Sequence, residues 1–183
     1  MRSATSVLTA LLVLSAGCGG GSGSGGGGAA ASCASFTGAQ SPAGGRVVAR
    51  QGAGGSCGAR AVEIVVTSVS DLFGAQFTFT FDATKLSYAG ASSQGSVLAS
   101  GGAQVSVQEG SAGSGTVTVG ISRIGAGSGV NVSGSQVLVR LVFSPLAAGT
   151  STLAVSNAQL FGSETPPQTK PGLTWSGGTF VIQ

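Results

Sequence analysis

The side chains able to do chemistry in this chain are five carboxylates (Glu63, Asp71, Asp82, Glu109 and Glu164), three cysteines and eight lysines and arginines, with no histidine. Without an imidazole, Ser-His-Asp and Cys-His nucleophilic catalysis cannot be assembled, and the commonest zinc ligand is missing. Two carboxylates flanking a bond could hydrolyse a glycoside, but these five are spread along the chain and no spacing pairs them. Asp71 and Asp82 stand singly near turns, short of the oxygen cluster that calcium requires. Arg46, Arg50, Arg60, Lys85, Arg123, Arg140 and Lys170 are scattered, whereas nucleic acid calls for a concentrated basic stripe. The residues point away from catalysis, a resident cofactor or metal, and nucleic acid, and toward binding. Sugar recognition would use exposed rings stacked on pyranose faces. Trp175, the only tryptophan, Tyr88, Phe161 and Phe73 are the candidates, and for Trp175 a cap on the end of the core is the favoured alternative.

The elements that position these residues are strands. In Gly74–Leu86, Phe77, Phe79 and Phe81 alternate with Gln76, Thr78 and Thr80. A period of two sends the rings to one face and the polar side chains to the other. Asp82-Ala-Thr-Lys then turns the chain, because Asp and Thr side chains bond nearby backbone. Val62, Ile64 and Val66 alternate likewise, as do Val117, Val119 and Ile121 against Thr116, Thr118 and Ser122, and Val137, Val139, Leu141 and Phe143. Further runs cover 86–88, 104–109, 150–160 and 179–182. Gly, Ser and Asn turns separate them at the spacing of an antiparallel β-sandwich. Residues 60–183 are read as this domain, with Arg140 turned to solvent. If the strands at 74–80 and 115–122 share a sheet, then Gln76, Thr78, Thr80, Thr116, Thr118, Gly120 and Ser122 form a flat polar patch edged by Arg123. Such a patch is either a docking surface or a solvated sheet face.

Ahead of the domain, Met1–Leu14 has one basic residue and then an apolar run. The run is shorter than the ~20 residues of a membrane span and suits an export signal. With Ser15-Ala16-Gly17-Cys18 it resembles a bacterial lipoprotein signal. The resemblance implies removal of residues 1–17, lipidation of Cys18, and a protein held to the cell envelope, at the outer membrane or cell surface, by its lipid alone. Several acyl chains would hold firmly, each buried CH₂ adding ~0.8 kcal/mol. Gly19–Gly28 is nearly pure Gly and Ser, so residues 18–32 read as a lipidated cysteine and flexible tether. Residues 33–59 read as an irregular arm with a short edge strand at 46–50. If Cys18 is acylated, Cys33 and Cys57 remain in an oxidising compartment and are expected to pair.

The order of the strand motifs resembles that of a cohesin domain. The motifs are Asp71-Leu-Phe-Gly-Ala-Gln-Phe-Thr-Phe-Thr-Phe-Asp-Ala-Thr-Lys-Leu86, Gly95-Ser-Val-Leu98, Gly115-Thr-Val-Thr-Val119, Ala148-Gly-Thr-Ser-Thr-Leu153, Ser156-Asn-Ala-Gln-Leu160 and Gly177-Gly-Thr-Phe-Val-Ile182. Phe81 and Ala83 stand where the family usually has tyrosine and proline. The resemblance implies a jelly-roll sandwich of about nine strands. It also implies a non-catalytic receptor that docks dockerin-type modules, with any calcium on the dockerin, and a link to polysaccharide breakdown. Family contact positions before and within the central strand fall on Gly74 and Gln76, and a further one falls near Ser122 and Arg123. Two other readings share the fold. One is a carbohydrate-binding module using Trp175 and Tyr88, and the other is a structural envelope lipoprotein with no site.

Overall fold

The computed structural model describes residues 33–40, 46–52, 57–111, 114–125 and 127–183. Cys18, the signal segment and the Gly/Ser tether lie outside the described residues. Eleven strands follow in chain order: β1 (Ala34–Gly38), β2 (Arg46–Gln51), β3 (Arg60–Leu72), β4 (Gly74–Thr80), β5 (Leu86–Ser92), β6 (Gln104–Ser111), β7 (Thr116–Ile124), β8 (Val130–Pro145), β9 (Gly149–Phe161), β10 (Thr174–Ser176) and β11 (Gly178–Ile182). A 3₁₀ segment, Val97–Gly102, joins β5 to β6. The strands form two packed sheets, one of six in the order β1-β11-β9-β4-β7-β6 and one of five in the order β10-β2-β3-β8-β5. Neighbours are antiparallel except β10, which runs parallel to β2.

The core lies between the sheets and is organised by β4. Phe77 and Phe79 are fully buried, and Phe81, at the end of the sandwich, is half-buried. The Phe79 ring stands 5.8 Å from Phe143 of the opposite sheet, and Phe143 stands 5.1 Å from Phe180. Burying a side chain of this size contributes roughly 1.5–3 kcal/mol, so this ring cluster is a principal tie between the sheets. After β4 the chain turns as its residues dictate. The Asp82 carboxylate accepts from the Thr84 hydroxyl (2.6 Å) and amide (2.9 Å).

Two readings of the sequence are corrected. The sandwich has eleven strands among the described residues, not about nine. Within 33–59, read as an irregular arm, residues 34–38 and 46–51 are instead strands β1 and β2 of the sandwich. Ala34 and Phe36 face the core from β1, as do Val47 and Ala49 from β2. Cys33 and Cys57 are joined by a disulfide, which ties the entry to β1 in one sheet to the approach to β3 in the other. Near the C-terminal end of the fold, β10 and β11 are separate strands in different sheets. The chain changes sheets at Gly177, where a Cβ would overlap the Leu153 carbonyl, so only glycine fits the crossing.

Arg140 does face outward from the five-stranded sheet, but it is not simply solvated. It and Arg50 bracket Glu63, which is 5% exposed, through ion pairs of 3.0 and 2.9 Å. Residues 68–72 extend β3 to Leu72 through register shifts. Asp71 is held there at φ 49°. Its carboxylate accepts from the Ser163 hydroxyl (2.7 Å) and amide (3.0 Å), the Gly129 amide (3.0 Å) and Lys170 Nζ (3.2 Å). The Ser163 bonds, with lesser help from Lys170 and Gly129, hold this carboxyl well below the usual range. One acid therefore pins the β7–β8 and β9–β10 connections to the end of β3.

Candidate functional site

The outward side of the six-stranded sheet is built by strand alternation. Phe77, Phe79, Val117, Val119 and Ile121 face the core, so their neighbours on β4 and β7 must face away. Register places Thr80 opposite Thr116, Thr78 opposite Thr118, Gln76 opposite Gly120 and Gly74 opposite Ser122. The hydroxyls of Thr78 and Thr118 meet at 2.9 Å. Gln76 and Thr80 are exposed, while Thr78, Thr116, Thr118 and Ser122 are half-buried by their lateral neighbours. All but one of the eight patch residues expected from the sequence thus share one surface.

Arg123 does not join them. It follows Ser122, so alternation turns it to the inner side of β7, at the end of the sheet. Its guanidinium donates to the Leu98 carbonyl (2.6 Å) and the Ser100 carbonyl (3.2 Å), anchoring the 3₁₀ segment. Ser96 secures the start of that segment, its hydroxyl donating to the Leu138 carbonyl at 2.6 Å and accepting from the Leu98 amide at 3.2 Å. Arg123 is a structural brace, not an edge contact.

Flanking strands widen the patch. Ser156 and Gln159 of β9 pair with Thr78 and Gln76, and Ser106, Gln108 and Gly110 of β6 pair with Ser122, Gly120 and Thr118. The sequence reading missed these five residues. Their one local signal was the alternation of Ser106 and Gln108 with Val105 and Val107. The assembled surface has a distinctive electrostatic character. Among the described residues, no outward position of β9, β4, β7 and β6 carries a charge. Apart from Phe161 and Ile124 at one end, these positions hold Gly, Ala, Ser, Thr, Asn or Gln. Charge is placed elsewhere: Arg46, Arg50, Glu63, Asp71 and Arg140 are on strands of the opposite sheet, and Asp82, Glu164 and Lys170 are at turns and connections.

The rings expected to offer a sugar platform are placed differently. Trp175 lies in β10 opposite buried Val47, with its ring 5.5 Å from Phe77. Tyr88 lies in β5 opposite buried Phe143, with its ring 5.1 Å from Phe79. They occupy opposite edges of the five-stranded sheet, and both turn toward the core, so they form no common platform. Tyr88 lines one wall of a cleft of about 490 Å³ between β5 and β6, with Phe81, Leu146 and Glu109 also lining it. Burial, and then the nearby Glu109 carboxylate, push the Tyr88 phenol well above its ordinary range.

Comparison with known proteins agrees with this architecture. A family model described as "Cohesin domain" matches residues 61–177. Among solved structures, the second type II cohesin module of the adaptor ScaA scaffoldin of Acetivibrio cellulolyticus aligns with a TM-score of 0.58 at 14% identity, over 76% of this chain and 91% of that one. A chain of the type II cohesin–X-dockerin complex Coh3ScaB–XDoc_M1ScaA from the same organism aligns with a TM-score of 0.55 at 12% identity, over 72% and 93%. CaCohA2 from Clostridium acetobutylicum aligns with a TM-score of 0.54 at 15% identity, over 74% and 88%. No curated protein matches the chain.

Proposed function

Since the chain belongs to the cohesin domain family, we propose that it is a non-catalytic receptor that docks a dockerin-like module on the outer face of its six-stranded sheet. The observation that carries this reading is the uncharged, hydroxyl- and amide-rich outer surface of β9, β4, β7 and β6, whereas the outer surface of the other sheet carries the Arg50–Glu63–Arg140 cluster. Such a face supports many modest hydrogen bonds, each worth roughly 0.5–1.5 kcal/mol net, over a flat area with little to desolvate at high cost. Similar solved folds include a cohesin in complex with an X-dockerin and CaCohA2 in complex with a variant of CaDoc0917.

In this reading Cys18 carries lipid, the Gly/Ser segment is the tether, and the domain is displayed at the bacterial cell envelope to gather dockerin-bearing proteins, including enzymes of polysaccharide breakdown. The test is retention of purified dockerin modules by the immobilised chain. Thr78→Lys and Thr118→Lys set a charge at the centre of the face and should abolish retention while far-UV circular dichroism stays unchanged. Retention by both variants would place docking elsewhere. Metabolic labelling with an alkynyl fatty acid should mark the wild-type chain and not Cys18→Ser, and equal labelling of both would dismiss the anchor. Retention on insoluble polysaccharide in the absence of any dockerin would instead favour direct sugar binding.

A further inference from the structure

The two sheets do not close against each other along one side. β5 and β6 are the last strands of their sheets and do not pair with one another. Between them the sandwich opens into the cleft of about 490 Å³ that Tyr88 lines. That volume is within the ~300–1,000 Å³ of small-molecule sites. Its walls are continuous with the core. Leu86 of β5 and Val117 of β7 are buried, while Phe81 and Tyr88 are half-buried and pack against the core cluster. Leu146, which also lines the cleft, is 56% exposed. Aliphatic and aromatic surface is therefore left partly uncovered at this one side of the sandwich.

Glu109 is the one charged residue lining the cleft. It lies on the inner side of β6, and its Oε1 accepts from the Ala91 amide of β5 at 3.0 Å, across the gap between the two edges. Among the described residues no lysine or arginine pairs with either carboxylate oxygen. Burial keeps the Tyr88 phenol protonated, so it adds no second anion. The Ser87 hydroxyl donates to the Ser144 carbonyl at 3.3 Å. We infer that this cleft binds a small organic cation, an ammonium carried on an aromatic or alkyl body. The body rests against Phe81, Leu86, Tyr88 and Val117, and the ammonium meets Glu109. Charge complementarity selects this class. A ligand bearing a carboxylate would face Glu109 with no cation to offset it. A neutral apolar ligand would take water from the carboxylate and return no donor. An ammonium donates to the carboxylate, and the faces of the Phe81 and Tyr88 rings attract its charge. The site lies between the sheet edges, so it does not rest on the docking reading.

The probe is phenethylammonium, titrated into the isotope-labelled full chain and followed by backbone amide shifts. Phenethyl alcohol offers the same body without charge, and phenylacetate the same body with the opposite charge. Phenethylammonium should shift the amides of Ala91, Glu109 and Val117 saturably, with a Kd in the millimolar range or tighter. The alcohol should bind at least about fivefold more weakly, and phenylacetate more weakly again. Glu109→Gln keeps a carbonyl oxygen for the Ala91 amide and should weaken the ammonium by at least about fivefold. Leu146→Arg, an exposed change that sets a cation beside the cleft, should weaken it further. Glu164→Gln removes the same charge from a connection outside the cleft and should stay within about twofold. No saturable shift up to ~20 mM, equal binding of the ammonium and the alcohol, or unchanged affinity in Glu109→Gln would overturn the assignment. If Leu146→Arg does not fold, Glu109→Gln and the ligand series decide.

Discussion

Replacing Glu63 with glutamine probes how the exposed side of the five-stranded sheet is held. Glu63 sits in register between Arg50 of β2 and Arg140 of β8. Oε2 accepts from Arg50 Nε at 3.0 Å and Nη2 at 2.9 Å, and Oε1 accepts from Arg140 Nε and Nη2, both at 3.0 Å. Removing one partner of a buried ion pair costs about 3–5 kcal/mol. Here the arginine side chains are 50% and 30% exposed, so both guanidiniums can regain water and part of that cost is avoided. Glutamine keeps one carbonyl acceptor but sets an amide N–H₂ against one guanidinium. The expected loss is about 2–3 kcal/mol, or a fall in Tm of roughly 4–12 °C for a domain of this size. Urea unfolding followed by fluorescence of Trp175, which packs on Phe77, measures it. Double-mutant cycles with Arg140→Met and Arg50→Met should show the stronger coupling to Arg140, the less exposed partner. A loss below about 0.5 kcal/mol, the value of an ordinary surface pair, or stronger coupling to Arg50, would refute the reasoning.

Asp71 has its folded-state pKa lowered, so it stabilises fully above the ordinary carboxylate pKa of about 4, and that contribution is lost as pH falls further. The Tm difference between wild type and Asp71→Asn should stay constant from about pH 5 to 8 and shrink below about pH 4; a difference unchanged in acid would contradict the Ser163 and Lys170 contacts. Cys33→Ser with Cys57→Ser opens a link spanning 24 residues and should cost about 3.5 kcal/mol in the chain-entropy model; a loss under about 1 kcal/mol by the same unfolding assay would mean that β1 is held without it. Because the docking face carries no charge, affinity for a dockerin should change less than about threefold between low and high salt, and a steep salt slope would point to the charged sheet instead. Chelation of calcium should abolish docking while leaving the melting of this chain unmoved, which separates metal on the partner from metal on the receptor.

Much of this was readable residue by residue. Alternation is a local property of a strand, so the inward rings of β4 and the outward hydroxyls of β4 and β7 follow from Phe77-Thr78-Phe79-Thr80 and Val117-Thr118-Val119 without knowledge of any partner strand. The motif order around them was enough to suggest the family. What one sequence leaves open is lateral. Hydrogen bonding between strands is nearly indifferent to side-chain identity, so no local signal placed β9 and β6 beside β4 and β7 or brought Gln159, Gln76 and Gln108 into one row. The same limit explains Arg123, whose partners come from a turn some 25 positions earlier, and Trp175, which reaches Phe77 only because β10 lies parallel beside β2. The sequence by itself determined which side of each strand is apolar, because that depends on chain geometry alone. Only the tertiary structure decided which strands lie side by side, because that depends on contacts between residues far apart in the chain.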